Sequence, residues 1–285
     1  MFNEILKTSY DLLKKNTNLT QHLFLFFLIT MFVIPNVAGI KGILFIIIFF
    51  LFVCAFFAGW FNAIKTAYQA EFPTVDCFVN DDNDRVEISK RINIDNEFNL
   101  PPLYFKEFFE GVGQYSLKFI CGGLIYAAIF GIVFYLLGYF IHHFVTVPAA
   151  IKQIDINSLS VMTQDELNKI VLSLNQVDKL KVLKLAGLIS GSFIFLSYIT
   201  LLFPVALINS EKNVFYCLFL SIKSLFKNIP LSLFIFIIFN ALLFLLSLGF
   251  STPQNLILFF ISFILYCYLS LLYYLALFVY YEKTK

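Results

Sequence analysis

Long apolar runs separated by short polar stretches make up most of the chain. A membrane-spanning helix needs about 20 mostly apolar residues. Six runs meet or nearly meet that length, and they cover residues 22–38, 42–63, 119–145, 182–208, 229–250 and 256–281. Because lipid offers no hydrogen bonds to the backbone, each run is expected to be a helix. The pattern therefore predicts an all-α polytopic membrane protein with six transmembrane helices.

The first run is short and carries Pro35 near its end. A secretory leader would place small residues at its cleavage site, and Asn36-Val37-Ala38 fits that pattern poorly. We therefore expect the first run to be retained as a span.

Two polar segments interrupt the spans. In residues 71–102, two short runs at 75–79 and 85–92 flank an Asn/Asp-rich turn, which predicts a small β-hairpin. In residues 148–181, Thr163 and Glu166 form a capping box, and apolar residues follow at helical spacing. The second segment is predicted to hold an amphipathic helix on the outer surface or leading into the fourth span.

An amphipathic stripe of large apolar residues precedes the first, third and fifth spans. The chain therefore divides into three like-oriented modules, each an amphipathic interfacial helix plus a helical pair: residues 1–70, 103–208 and 209–285, with the polar loop 71–102 after the first. Such helices are expected to lie in the interface plane, with their lysines toward the headgroups. Each helix could brace its span, bind a partner or sense the membrane. The stripes are Phe2, Ile5 and Leu6; Phe105, Phe108 and Phe109; Phe215, Leu218 and Phe219.

Composition supports a membrane location. Of the 285 residues, 60% are hydrophobic and only 13% are charged, whereas soluble domains average roughly 45–50% and 25%. Most of the 20 basic residues fall on the side of the N-terminus, which predicts that both termini are cytoplasmic. Lys179, Lys181 and Lys184 lie on the other side. No basic block suggests nucleic acid as a partner.

Several short stretches resemble a known group of membrane proteins. Gly59-Trp60-Phe61, Leu100-Pro101 and residues 105–109 carry the likeness, together with Gly111, Tyr115 and the helix before the fifth span. They resemble bacterial multi-pass integral-membrane domains without an assigned activity, akin to the membrane domain found ahead of glycerophosphoryl diester phosphodiesterases. The resemblance implies a six-span helical protein of the bacterial plasma membrane, and it implies no chemistry. The 285 residues are expected to leave no room for the phosphodiesterase domain itself.

Candidate catalytic and metal-binding groups are sparse. The interior of every predicted span lacks Asp and Glu, which argues against proton-coupled pumps and intramembrane aspartyl proteases. His142 and His143 are adjacent and would point about 100° apart on a helix, so they are not expected to share a metal ion. The acidic turn at residues 80–84 lacks the Gly and Glu positions of an EF-hand. We therefore expect no enzyme activity, metal site or cofactor.

Small residues at four-residue spacing favour close helix packing. They predict that the second, third and fourth spans form the core and that the others face lipid. In the fifth span, Asn240 is expected to hydrogen-bond across helices, with a substrate contact as the alternative. The small residues are Ala55, Gly59 and Ala63; Gly123, Ala127 and Gly131; Gly187 and Gly191.

The sequence favours a non-enzymatic membrane protein that organises or binds a protein partner at the cytoplasmic face. Apart from that possible partner, only the lipid bilayer is expected to contact the chain. The alternative is a transporter or permease subunit for a neutral or lipidic substrate, since repeated helical pairs are compatible with one. An enzyme acting on lipid headgroups is disfavoured because no acid, base and nucleophile converge.

Overall fold

A computed structural model describes residues 1–36, 43–72, 104–144, 174–249 and 256–285, and the regular structure of these residues is helical. Numbered in chain order, the helices are α1 (Phe2–Lys15), α2 (Leu19–Asn36), α3 (Ile43–Glu71), α4 (Phe105–Phe144), α5 (Gln176–Ile199), α6 (Phe203–Asn209), α7 (Val214–Lys227), α8 (Ile229–Leu248) and α9 (Leu256–Thr284). The predicted β-hairpin, and the predicted amphipathic helix up to residue 173, lie outside the described residues.

The helices have the lengths and composition of membrane spans. Within the described ranges, five stretches are long and apolar enough to cross a bilayer: α3, α4, α5 together with α6, α8 and α9. The apolar part of α2 is shorter, at Leu19–Thr30. The prediction of an all-α polytopic membrane protein is confirmed.

The amphipathic segment of the second module is not a separate helix. It forms the first turns of α4, which continues for 40 residues to Phe144. In the other two modules an Asn ends the amphipathic helix. The side chain of Asn16 donates to Leu12 O at 2.9 Å, and Asn228 accepts from Leu231 N at 3.3 Å, with Pro230 in the first turn of α8. Residues 105–125 contain no Asn or Pro, so nothing interrupts α4.

The chain folds into two compact units. The larger comprises Met1–Gly123 and Thr200–Lys285, and the smaller comprises Leu124–Ile199. In the smaller unit, the second half of α4 packs on α5 where Phe193 meets Phe130 and Phe134, with ring centroids 5.7 and 4.9 Å apart.

Both chain ends lie at the same end of the larger unit. Lys283 in the last turn of α9 pairs with Glu4 of α1 at 2.5 Å, and Lys227 Nζ donates to Lys285 O at 3.1 Å. Lys15 at the other end of α1 pairs with Glu71 at the end of α3. Since its two ends contact the ends of two different spans, α1 lies across this end, called here the termini-bearing end. An even number of membrane crossings would place the two termini on one side in this way.

The structure agrees only in part with the expectation that the second, third and fourth spans form the core. In the larger unit α3 and α6, the end of the fourth span, are buried, but α9 is buried as well, although the sixth span was expected to face lipid. The last turns of α9 are the most continuously buried stretch of the larger unit, from Leu275 to Tyr281, and they pack with α3 and α6. By contrast, α5 is exposed along most of its length. Small residues allow two backbones to approach, but lipid solvates Phe and Leu as well as a protein core does. The size and hydrophobicity of the side chains therefore do not indicate which spans lie in the core.

Candidate functional site

The amphipathic helices α1 and α7 lie at the termini-bearing end, and they present opposite faces. In α1 the apolar stripe points into the protein, where Ile5 and Leu12 are 0% exposed against α9. Its polar side carries Lys7, Asp11 and Lys14, which are exposed. The Lys283 ammonium donates a hydrogen bond to Glu4 and holds the pKa of that carboxyl below its usual range. The N-terminal stripe therefore braces the bundle and is not available to a partner.

In α7 three small side chains and Leu225 are buried, and the aromatic side chains are exposed. Cys217, Ser221 and Ser224 face the protein, and Tyr280 of α9 donates to Ser224 O at 3.2 Å. The N-terminus of the helix is capped by Asn213, which accepts from Tyr216 N at 2.9 Å.

The outward face of α7 is a row of aromatic rings, called here the α7 aromatic face. Phe215 is 70% exposed, Phe219 61% and Phe226 54%, and they recur every one or two turns of the helix. Leu218 is half-buried at the edge of this row, and Lys223 is exposed beside it. Large rings outside and small groups inside hold α7 close to α9 while leaving its most apolar surface uncovered.

At the start of α4, one aromatic ring packs inside the protein, as the stripe of α1 does, and two are exposed, as on α7. Phe108 is half-buried and stacks on His22 of α2, with ring centroids 5.2 Å apart. Phe105 and Phe109 are 52% and 68% exposed. The helix is anchored by Tyr104, whose hydroxyl donates to Asn16 Oδ1 at 2.7 Å.

Two glycines allow α3 and α4 to cross at close range. A Cβ atom on Gly59 would lie 2.6 Å from Phe108 O, and one on Gly111 would lie 2.9 Å from Ala58 O. Asn62 of α3 adds a hydrogen bond from its Nδ2 to Glu107 O at 2.7 Å. The family resemblance is the one sequence feature that includes Gly111, although this position is as constrained as Gly59.

The remaining small residues differ in their surroundings. A Cβ on Gly123 would lie 2.8 Å from the ring of Phe50, whereas one on Gly131, Gly187 or Gly191 would meet no atom within 4 Å. Ala63 is buried, Ala55 is half-buried and Ala127 is exposed.

Two lysines hold the end of the short helix α6. Lys65 of α3 donates to Ile208 O at 3.3 Å, and Lys118 of α4 donates to Ser210 O. The unsatisfied carbonyls of a helix C-terminus carry partial negative charge, so two ammonium groups stabilise it. Lys65 also lies 5.8 Å from the ring centre of Tyr115. No pattern in the sequence indicates this contact.

Asn240 connects α8 to α9. Its Nδ2 donates to Tyr273 OH at 3.0 Å and to Phe236 O at 2.8 Å. Tyr273 is buried, whereas Asn240 itself is exposed.

The described residues contain no group of three or more His, Cys, Asp or Glu side chains that could hold a metal ion. His142 and His143 lie side by side on α4, with ring centroids 4.9 Å apart. Cys54, Cys217 and Cys267 are buried and Cys121 is exposed.

Comparisons with protein-family models, curated proteins and solved structures found no match. The resemblance to the bacterial membrane domains therefore stays a prediction.

Proposed function

We propose that this chain is a non-enzymatic membrane protein that binds a protein partner at the cytoplasmic face of a bacterial plasma membrane. The support comes from the α7 aromatic face. A helix that only braces its span would bury its large side chains, as α1 does with Ile5 and Leu12. Instead, α7 turns Phe215 and Phe219 outward.

The surroundings of this face indicate the chemistry of the partner. Lys212 and Lys223 are exposed at its border, and Lys227 lies at its end. A partner with an apolar surface rimmed by acidic side chains would match both features. Aromatic side chains commonly dominate the binding energy of such contacts. The cytoplasmic assignment rests on the excess of basic residues on the termini side of the predicted spans.

A photo-crosslinking side chain placed at position 219 in cells tests the proposal. The expected product is an adduct with one protein of constant mass, and its yield should fall when Phe215 is also changed to Ser. The same probe at position 245 is the matched control, since Leu245 is 61% exposed but lies on the span α8. It should not give that adduct.

Lipid adducts alone at position 219 would contradict the proposal, because the aromatic face would then be a membrane anchor. Equal recovery of the same protein from positions 219 and 245 would also contradict it. Thermal unfolding of the Phe215→Ser variant checks that the helix is still folded. Phe108 is unsuitable for this purpose, since it stacks on His22 and its loss would disturb packing.

A further inference from the structure

The lipid-facing side of α8 carries a polar group in the middle of a span. Asn240 is the twelfth of the 20 residues of α8, which places it near mid-membrane, and it is exposed. Both N–H groups of its amide are used within the chain, by Tyr273 OH and Phe236 O. Its Oδ1 has no donor among the described residues. Lipid provides no donor at that depth, so the acceptor is costly to leave unpaired.

The residues around Asn240 have the spacing of a helix-pairing surface. Leu233, Ile237 and Phe244 are 39%, 54% and 64% exposed. With Asn240 they recur at intervals of four, three and four residues, which is the a/d period of paired helices. We call these four residues the α8 seam. A single Asn on such a seam is known to fix register and the number of helices.

From this geometry we infer that the α8 seam is the contact between two copies of this chain in the membrane. Two copies inserted in the same direction hold Asn240 at the same depth, so their amides meet without any adjustment of register. The occupant is a second copy because the amide carries a donor and an acceptor and is therefore self-complementary. A lipid tail satisfies neither group.

The hydrogen bonds balance in the dimer. Phe236 O already accepts the backbone N–H of residue 240 within α8. The second bond to this oxygen, from Nδ2 of Asn240, can therefore be given up without leaving the oxygen unpaired. Each Asn240 then keeps its bond to Tyr273 OH, donates one N–H to Oδ1 of the other copy, and accepts one in return. Both carbonyl oxygens that lacked a donor are satisfied.

The test is self-association of the full chain in lipid vesicles. Copies labelled with donor and acceptor fluorophores are diluted with lipid, and energy transfer gives the dissociation midpoint. Asn240→Leu should weaken association roughly threefold to twentyfold, the range expected for interhelical hydrogen bonds in membranes. Asn240→Gln should retain most of it, since the amide is kept. Tyr273→Phe should also associate, because it removes only the contact within one copy.

Disulfide trapping locates the contact. Ile237→Cys should crosslink two copies on oxidation, since residue 237 lies on the seam. Leu242→Cys is the matched control, being 43% exposed but on another side of α8, and it should stay uncrosslinked. Both variants are made without the native cysteines.

Other outcomes would overturn the inference. They are a monomer at every dilution, unchanged association of Asn240→Leu, or equal crosslinking at positions 237 and 242. The open face of α5 at Gly187 and Gly191 is the competing contact. If Gly191→Leu abolished association and Asn240→Leu left it unchanged, the contact between the two copies would be assigned to α5. These results do not depend on the partner proposed for α7, whose crosslink is read out separately.

Discussion

The crossing of α3 and α4 allows a sharp test of the packing. A methyl group on Gly111 would overlap Asn62 Cβ and lie 2.9 Å from Ala58 O and 3.0 Å from Gly59 Cα. These are backbone and Cβ atoms, so no rotation of a side chain can relieve the contact. Gly111→Ala must therefore move α4 away from α3. Gly113→Ala provides the matched control two residues along the same helix, because a Cβ there meets no atom within 4 Å.

Two opposing terms set the size of the effect. Overpacking a close contact costs about 1–3 kcal/mol, and the rigid neighbours place this site in the upper half of that range. Replacing Gly by Ala inside a helix gains about 0.8–1.0 kcal/mol. The expected net loss is about 1–2 kcal/mol for Gly111→Ala, whereas Gly113→Ala should keep the gain alone.

The native cysteines supply the assay. Cys54, Cys217 and Cys267 are buried, so a thiol-reactive dye added during heating reports unfolding in detergent. Cys121 is exposed and Cys77 lies outside the described residues, so both are changed to Ser in every variant. At about 2–4 °C per kcal/mol, the midpoint of Gly111→Ala should fall by roughly 2–8 °C. Equal midpoints for the variants at 111 and 113 would refute the close crossing.

Three further outcomes are expected. Trp60→Phe removes the buried hydrogen bond from Nε1 to Leu19 O, which is 3.2 Å long. The free energy of unfolding should drop by about 0.5–1.5 kcal/mol. An unchanged unfolding midpoint in the dye assay would contradict this. The folded pKa of Glu4 lies below its unfolded value. The ion pair with Lys283 therefore stabilises the folded state fully above about pH 4.3, and this stabilisation is lost as the pH falls through the folded pKa. The difference in unfolding midpoint between wild type and Lys283→Met should vanish at low pH. A difference that stays constant with pH would exclude the ion pair. An impermeant thiol reagent should label Cys77 in inverted vesicles and not in sealed right-side-out vesicles, and the reverse result would invert the proposed topology.

Span positions could be predicted from the sequence because the bilayer imposes one simple requirement. A run of about 20 apolar residues must be a helix, and each predicted span falls mostly on described helical residues, although turn residues 200–202 interrupt the fourth. The sequence prediction separates the amphipathic segment of the second module from the third span, whereas α4 runs through both. The sequence does contain a signal for this continuity. Asn16 and Asn228 stop the other two amphipathic helices, and the matching stretch before the third span has no such residue.

Burial could not be predicted in the same way. Gly187 and Gly191 have the spacing typical of a tight helix contact and meet nothing within 4 Å, while the bulky stretch at Leu275 and Phe278 is buried. In water, hydrophobicity separates inside from outside, but in lipid it does not. The clamp of Lys65 and Lys118 on α6 also depends on which spans are neighbours, and the sequence contains no such information.

The repeat also shows which part of a sequence pattern decides which face of an amphipathic helix is buried. Modules one and three share the spacing of large apolar residues, and both α1 and α7 lie at the termini-bearing end. Their buried faces differ because the residues between the large ones differ. In α7, Cys217, Ser221 and Ser224 form most of a narrow buried face, with Leu225 the one large side chain in it, so the rings stay outside. In α1, the opposite face carries Lys7 and Lys14, which cannot be buried without partners, so the apolar stripe turns inward. The choice of face therefore follows from the small and charged positions, and a partner surface should be sought where those positions are small.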